Sequence, residues 1–288
     1  MERKIQNLKK TIKNVVDKIL KIALFTFECG ELIYFGAGLG IFVLAKRMRM
    51  CYTVDIKKIE PRGLKSRRIY AKEQKMKTTF YLVRHGQSIG NLENRALGHM
   101  DLDLSELGYR QAAATFEYMK DWHIDAVYSS PLQRAWNTIL PHAEHRGLTA
   151  IPMDDFREVF LGLWEGMYLP DIVHRWPYTF TELWRANFAL STPPKGEYVQ
   201  DAADRVLRGL KSLAEKHPGQ TLLIGGHAGI FRAAVARIIG MPPERVGLEF
   251  PFPSNASVTT LTYEDGEFSL VRYSEDAHLS EVGTSRPQ

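Results

Sequence analysis

Cysteine is scarce in this chain of 288 residues, which contains only Cys29 and Cys51. Both precede residue 76, so no disulfide framework can stabilise the 213 residues from that point onward. This usage is typical of a reducing compartment, and we expect the larger part of the chain to be cytoplasmic. That part is long enough to bury a core without disulfides.

Metal and dinucleotide motifs are missing as well. The nine histidines show no metal-ligand spacing such as H-E-x-x-H, so we predict no catalytic metal. The glycine-rich turn at 225–229 does not match G-x-G-x-x-G, which argues against a dinucleotide site. We therefore predict that the protein functions without a cofactor.

Acidic residues are few at the start of the chain. Residues 1–75 carry 18 Lys and Arg against 7 Asp and Glu, a net charge of +11, whereas residues 76–288 carry 20 against 26, a net charge of −6. The total of +5 therefore hides two parts of opposite sign. Because the larger part is acidic, the basic total gives no reason to expect nucleic acid as a partner. We predict a basic extension over 1–75 and the main domain over 76–288.

The extension contains one long apolar stretch, over residues 22–45. Before it, residues 5–20 place Ile, Leu and Val at helical spacing opposite lysines, which predicts a basic amphipathic helix. The length of 22–45 suits a bilayer span, and Gly36 and Gly40 would let two such helices pack closely. Residues 46–75 are interpreted as a basic linker.

Two features count against a span. Glu28 and Glu31 lie inside the apolar stretch, and an acid near a bilayer centre costs about 2.5–3.5 kcal/mol. The run without a charged residue, 32–45, has only 14 residues. Three alternatives remain for the extension: membrane contact through residues 22–45, a helical appendage away from any membrane, or translation that starts at Met76.

Strand and helix patterns alternate from residue 79 onward. Short apolar runs predict strands at 79–83, 126–129, 148–151 and 221–225. Helical spacing or start signals occur at 106–120, after Pro131, at 197–216 and at 229–239. Residues 258–263 and 268–273 flank an Asp-Gly turn and predict a hairpin. The chain is therefore predicted to be an α/β protein with three layers, α/β/α, around a largely parallel sheet, plus the N-terminal helical extension.

Polar side chains follow three of the predicted strands. The first strand ends at Arg84 and His85, the second is followed by Arg134, and the fourth by His227. Because ligands bind outside the carboxyl ends of parallel strands, these side chains can meet in one pocket. Arginine forks suit phosphate oxygens, and the glycine that follows His85 is interpreted as leaving room for the anion. A helix that begins near residue 228 aims its N–H groups at an anion. This pattern predicts a phosphate site; the alternative is a set of unrelated structural histidines and solvated arginines.

The motifs around these residues resemble the signature of the histidine phosphatase superfamily, which includes cofactor-dependent phosphoglycerate mutases and many small-molecule phosphatases. The resemblance starts with Leu82-Val83-Arg84-His85-Gly86-Gln87-Ser88 and Asn91. It continues through the stretches 98–105, 129–135, Glu158 with 162–166, 196–197 and 226–229. It covers about residues 78–275 and implies the phosphoglycerate mutase-like fold for the main domain.

The resemblance also implies roles. His85 would be the nucleophile that becomes a phosphohistidine, and a neutral imidazole suits that role near pH 7. Arg84, Arg134 and His227 would hold the phosphate as charge develops. Asn91 would donate a further hydrogen bond, and the side chain of Ser88 and the backbone of Ala228 are additional candidates for substrate binding.

The leaving group needs a proton donor. The residues alone leave Asp154, Asp155, Glu158 and Glu165 open. The resemblance selects Glu158, and a phosphate beside this carboxyl should favour its protonated form. Glu165 is expected to be structural or to lie at the rim.

The leading prediction is a metal-independent phosphatase that hydrolyses a small phosphorylated metabolite through a phosphohistidine. A cofactor-dependent phosphoglycerate mutase is the alternative, but mutases of this family usually present paired arginines in the insertion, whereas Ala186 follows Arg185 here. A third hypothesis is a phospho-ligand binder without activity. Residues 167–195 are rich in aromatics and are interpreted as a lid insertion over the pocket, or as a cluster that only stabilises the lid itself.

Overall fold

The computed structural model describes residues 76–284 and, by their backbone alone, residues 32–35, 40–45 and 50–55. The chain divides into two compact units, residues 1–75 and 76–288. In the first unit, β1 (Leu32–Phe35), β2 (Gly40–Ala45) and β3 (Met50–Asp55) form an antiparallel sheet in that order.

The helical prediction for the extension is wrong for the part of 22–45 that the structure describes. Leu32–Phe35 pairs with Gly40–Ala45 as antiparallel strands. These strands are rich in Ile, Val, Phe and Tyr, which favour strands, and three glycines at 36, 38 and 40 each disfavour a helix by about 1 kcal/mol. The amphipathic helix expected over 5–20 lies outside the described residues. Among the described residues, no helix has the length and apolarity needed to cross a bilayer.

The second unit is built on a six-stranded sheet with the strand order β6-β5-β7-β4-β8-β9. Its strands are β4 (Thr78–Arg84), β5 (Ala126–Ser129), β6 (Ala150–Pro152), β7 (Thr221–Gly226), β8 (Val258–Glu264) and β9 (Glu267–Glu275). The first four strands in the spatial order are parallel, and β8 and β9 add an antiparallel hairpin at one edge. The predicted largely parallel sheet is confirmed.

Helices cover both faces of this sheet. They are α1 (Ile89–Leu92), α2 (Glu106–Met119), α3 (Gln133–His145), α4 (Leu169–Arg175), α5 (Val199–Lys216), α6 (Ala228–Ile238) and α7 (Pro243–Glu249). Successive residues of a strand point to opposite faces, so Leu82 packs in the cluster that holds α5 and α6, and Val83 in the cluster that holds α2 and α3. The three-layer α/β/α prediction is confirmed.

The register of the central strands brings their carboxyl ends together. Arg84 of β4 pairs with Gly226 of β7, and Ser129 of β5 pairs with Gly225. His85 and His227 therefore follow the sheet edge at the same level, on neighbouring parallel strands. The start of β8 lies at this edge too, because β8 runs antiparallel to β4 and places Val258 beside Val83.

Candidate active site

His85 is held as a neutral imidazole with one free nitrogen. Its Nδ1 lies 2.6 Å from the carbonyl oxygen of Gly86, which can only accept, so Nδ1 carries the proton and Nε2 keeps a lone pair. Burial, followed by the nearby Arg134 and Arg84, places the pKa of His85 well below its usual 6.5. The backbone is fixed as well, since His85 N donates to Gly226 O at 3.0 Å. The result is an unprotonated nitrogen at neutral pH.

Gly86 is required by packing against α2. A Cβ at this position would lie 2.5 Å from the carbonyl oxygen of Gly108, a backbone atom of that helix. The sequence suggested instead that this glycine leaves room for the anion. The close approach lets Gly86 N donate to Thr138 Oγ1 at 3.0 Å, and the same hydroxyl donates to Arg134 O at 2.7 Å. Thr138 thus connects the His85 loop to the helix that carries Arg134.

Arg84 and Arg134 are both almost fully buried, at 3% and 1% exposure. Arg84 Nη1 donates to Pro253 O at 2.6 Å, and Arg134 donates from Nη1 to Met100 O and from Nη2 to Gly98 O, both at 2.8 Å. Burial lowers the pKa of each guanidinium to about 10, so both stay charged at pH 7. The Nε atom of each is buried without a hydrogen-bond partner in the described part of the chain. Two oriented cations with spare donors suit an anion.

Glu158 lies at the N-terminus of α6. Its carboxylate accepts from Gly229 N at 3.0 Å, Ile230 N at 3.1 Å and Val159 N at 2.9 Å. The first two donors belong to the first turn of the helix, where unpaired N–H groups attract negative charge. The loop behind Glu158 is also fixed, because His99 Nε2 donates to Glu158 O at 2.8 Å. Helix α6 thus positions the predicted proton donor.

Two further predicted site residues, His227 and Ser88, are both bonded within the protein. The ring centroids of His227 and His85 are 5.2 Å apart, and His227 Nε2 lies 2.8 Å from Ser130 Oγ. Burial, followed by the neighbouring Arg134, places the pKa of His227 well below 6.5. Ser88 caps α1, where its hydroxyl accepts from Asn91 N at 3.1 Å, so it is engaged in the backbone.

One cavity of about 840 Å³ collects most of this set. Its lining includes Arg84, His85, Asn91, Arg134, Glu158 and Ala228, whereas Ser88 and His227 are fully buried next to it. The insertion supplies one side of the cavity through Phe180, Trp184, Arg185 and Phe188. Trp184 also packs edge-on against Phe188 at 5.0 Å, so the insertion both lines the pocket and has its own aromatic contacts.

Sequence reasoning missed two buried polar residues at this site. Asn255 Nδ2 donates to His85 O at 2.9 Å, and Arg232 lines the cavity from the next turn of α6. Asn255 lies in a short polar run before β8, and the antiparallel placement of β8 beside β4 is what brings it to His85. Glu165 accepts from His99 N at 2.6 Å and Leu161 N at 3.2 Å, the contacts of a structural carboxylate. No group of His, Cys, Asp or Glu arranged to hold a metal ion occurs among the described residues.

Residues 80–276 match the model of the histidine phosphatase superfamily (branch 1), and the chain belongs to this family. An uncharacterised phosphatase PhoE of Bacillus subtilis is 31% identical over 203 residues, which cover 70% of this chain and 97% of the relative. A metal-independent phosphoserine phosphatase of Arabidopsis thaliana is 32% identical over 208 residues, which cover 72% and 85%. The solved structure of Bacillus stearothermophilus YhfR superposes with a TM-score of 0.67 at 28% identity, over 70% of this chain and all of that one.

The predicted family and its phosphoglycerate mutase-like fold are thereby confirmed, and the relatives support the predicted phosphatase class. Proteins named as phosphoglycerate mutases or mutase-like are also among the relatives.

Proposed function

We propose that this chain hydrolyses small phosphomonoesters, without a metal, through a phosphohistidine on His85. The observation that carries the proposal is the hydrogen bond from His85 Nδ1 to Gly86 O, since it fixes the tautomer that leaves Nε2 free to attack. The two buried guanidinium groups of Arg84 and Arg134 beside that nitrogen support phosphate as its target.

In the first step, His85 Nε2 forms a bond to phosphorus and the ester P–O bond breaks. Arg84 and Arg134 bind the equatorial oxygens, whose charge is largest in the transition state. Asn91 and the backbone N–H of Ala228, which line the cavity, add donors around the same group. His227, whose ring centroid lies 5.2 Å from that of His85, is a further donor to it. Glu158 donates a proton to the leaving alkoxide, which departs as the alcohol.

In the second step, water attacks the phosphohistidine. Glu158, now a carboxylate, accepts a proton from that water, while the N–P bond breaks and His85 returns to its neutral form. Inorganic phosphate is released, so the balance of the two steps is hydrolysis of one ester bond. The hydrogen bonds from Gly229 N and Ile230 N hold the carboxylate in place for this role.

The test compares the full-length protein with His85→Ala and with a control, His123→Ala, whose side chain is 80% exposed. We expect the wild type and the control to release inorganic phosphate and to form an acid-labile phosphoenzyme, and His85→Ala to do neither. A wild type that forms no phosphoenzyme and hydrolyses 4-nitrophenyl phosphate no faster than His85→Ala would sink the proposal. Isomerisation of 3-phosphoglycerate without release of phosphate would favour the mutase alternative instead.

The substrate proposed here is a small phosphorylated metabolite, and the site proposed for it lies wholly within residues 76–284. Membrane contact through residues 22–45 and a cytoplasmic location of the main domain stay predictions. Fractionation of cells that express the full chain or residues 76–288 would test both, because only the full chain would sediment with membranes.

A further inference from the structure

A third buried guanidinium lines the cavity. Arg232 is 3% exposed and belongs to α6, one turn beyond Ala228. Its Nε donates to Phe250 O at 2.7 Å, and its Nη2 donates to Val246 O at 2.6 Å and to Gly247 O at 3.0 Å. Nη1 has no hydrogen-bond partner within residues 76–284, so one end of the fork keeps both of its N–H groups available.

The charge of Arg232 is not balanced by any acid in the described part of the chain. Arg84 and Arg134 are both stabilised by the charge of Glu158, but no carboxylate does the same for Arg232. Burial lowers its pKa to about 10, which still leaves it protonated at pH 7. A buried cation is costly without an anion, and carbonyl oxygens supply only dipoles.

Aromatic rings fix the position of this group. The guanidinium carbon lies 4.0 Å from the ring centroid of Phe252 and 4.9 Å from that of Phe188, and both rings line the cavity. The cation therefore lies between two faces of the pocket wall, where it is favoured electrostatically and cannot swing away. A group fixed in this way acts at one place in the cavity.

The spacing from the phosphate end is set by a rigid segment. Arg232 bonds to the carbonyl of Phe250, and Arg84 bonds to the carbonyl of Pro253. The segment between them reads Phe-Pro-Phe-Pro, in which each proline fixes its φ angle. Three residues span at most about 10 Å, and each donating nitrogen lies 2.6 Å or 2.7 Å from its carbonyl oxygen, so the two nitrogens are at most about 16 Å apart on the wall of one cavity.

We propose that Arg232 binds a second anionic group of the substrate, so that the site takes phosphomonoesters whose other end carries a carboxylate or a phosphate. This inference rests on the proposed phosphatase function and narrows its substrate class. Arg84 and Arg134 would hold the phosphate that is hydrolysed, and Arg232 Nη1 would donate to the second anion. A charge-assisted bond in a buried site is worth enough to change kcat/KM about 10- to 100-fold.

The test uses pairs of substrates that differ in one charge. Carboxyalkyl phosphates with two to five methylene groups are compared with the corresponding carboxamides, and alkanediol bisphosphates with the corresponding hydroxyalkyl phosphates. The first series detects a carboxylate, the second detects a phosphate, and the chain lengths measure the span. The proteins are the wild type, Arg232→Met, Arg232→Lys and the control Arg237→Met, which removes an exposed arginine of the same helix.

We expect the wild type to prefer the anionic member of at least one pair about 10-fold or more in kcat/KM. Arg232→Met should lower kcat/KM for the anionic member about 10-fold more than for the neutral member. Arg232→Lys should keep part of the preference, and Arg237→Met should keep all of it.

Equal kcat/KM for both members of every pair in the wild type would overturn the inference. This measurement uses the wild type alone, so it does not depend on whether a variant folds. An equal loss on both members in a folded Arg232→Met would overturn it too, since that is the effect of a purely structural residue. Neither outcome touches the phosphatase proposal, whose own failure would appear as absent His85-dependent hydrolysis of 4-nitrophenyl phosphate.

Discussion

Replacing Gly229 by Ala should displace Glu158 from the helix N-terminus without unfolding the protein. A Cβ at Gly229 would lie 2.7 Å from Glu158 Oε1, whereas ordinary van der Waals contact begins at 3.4 Å. The carboxylate must therefore retreat by about 0.7 Å, since the helix backbone that carries the new methyl group is fixed by its own hydrogen bonds. Alanine is the better helix former, so no loss of stability is expected from the backbone.

The cost should fall on proton donation alone. Misplacing a catalytic group by about 1 Å can reduce the rate about 100-fold, so a shift of this size should lower kcat/KM about 10- to 100-fold for an alkyl phosphate. An alkoxide needs a proton as it leaves, but 4-nitrophenolate does not. For 4-nitrophenyl phosphate we therefore expect kcat/KM of Gly229→Ala to stay within about threefold of the wild type.

The assay is the ratio of kcat/KM for a simple alkyl phosphate and for 4-nitrophenyl phosphate. This parameter covers the steps up to the phosphoenzyme, so a slower attack by water does not affect it. Glu158→Gln provides the comparison, because it removes the proton while keeping the shape of the side chain, and it should show the same dependence on the leaving group. An equal loss on both substrates in Gly229→Ala, or no loss on the alkyl phosphate, would refute the assignment of Glu158 as the donor.

Two further predictions concern histidines. His85 should be a neutral Nδ1–H tautomer at pH 6 in the ligand-free protein, because burial and the adjacent arginines lower its pKa well below 6.5; nitrogen NMR of the ring checks this, and an imidazolium at that pH would contradict it. His142 is fully buried with neither ring nitrogen bonded in the described part of the chain, and burial lowers its pKa to about 4. The free energy of unfolding should decrease as the pH falls below 6.5, because His142 becomes protonated in the unfolded chain but stays neutral in the folded chain until about pH 4. His142→Phe should therefore lose about 2 kcal/mol less than the wild type between pH 7 and pH 5 in denaturant titrations; identical losses would count against it.

Local pattern was sufficient for the architecture of the main domain. Strand β4 ends at Arg84 and β7 at Gly226, and both ends were visible as apolar runs that stop at polar residues. A strand that is buried on both faces has a continuous apolar run, and the helices between these strands show the helical spacing of apolar residues. Alternation of such strands and helices predicts a parallel sheet. The same reasoning failed at Leu32–Phe35 and Gly40–Ala45, where a long apolar stretch suggested a helix and the glycines inside it were given too little weight.

The reason for Gly86 also lay beyond local pattern. The sequence offered a glycine beside an expected anion, and the simplest interpretation was space for that anion. The structure instead places the backbone of Gly108 against it, and the two segments are far enough apart in sequence that no spacing rule relates them. A glycine can be recognised from the sequence, but the atom that excludes its Cβ depends on which helix packs there.

By itself, the sequence determined the type of chemistry: two histidines and two arginines follow predicted strands, and the order of motifs that a family shares selects a glutamate to act with them. These features are written in side-chain type and in spacing over a few residues, which the chain keeps whatever it packs against. Only the tertiary structure brought Asn255 to the carbonyl of His85, 170 residues away along the chain, and left Arg232 buried in the same cavity without an acid beside it. Contacts between residues so far apart in the sequence depend on how the hairpin, α6 and the sheet pack together. Whether a side chain is buried, and whether an acid lies beside it, cannot be recognised from the neighbouring residues in the sequence.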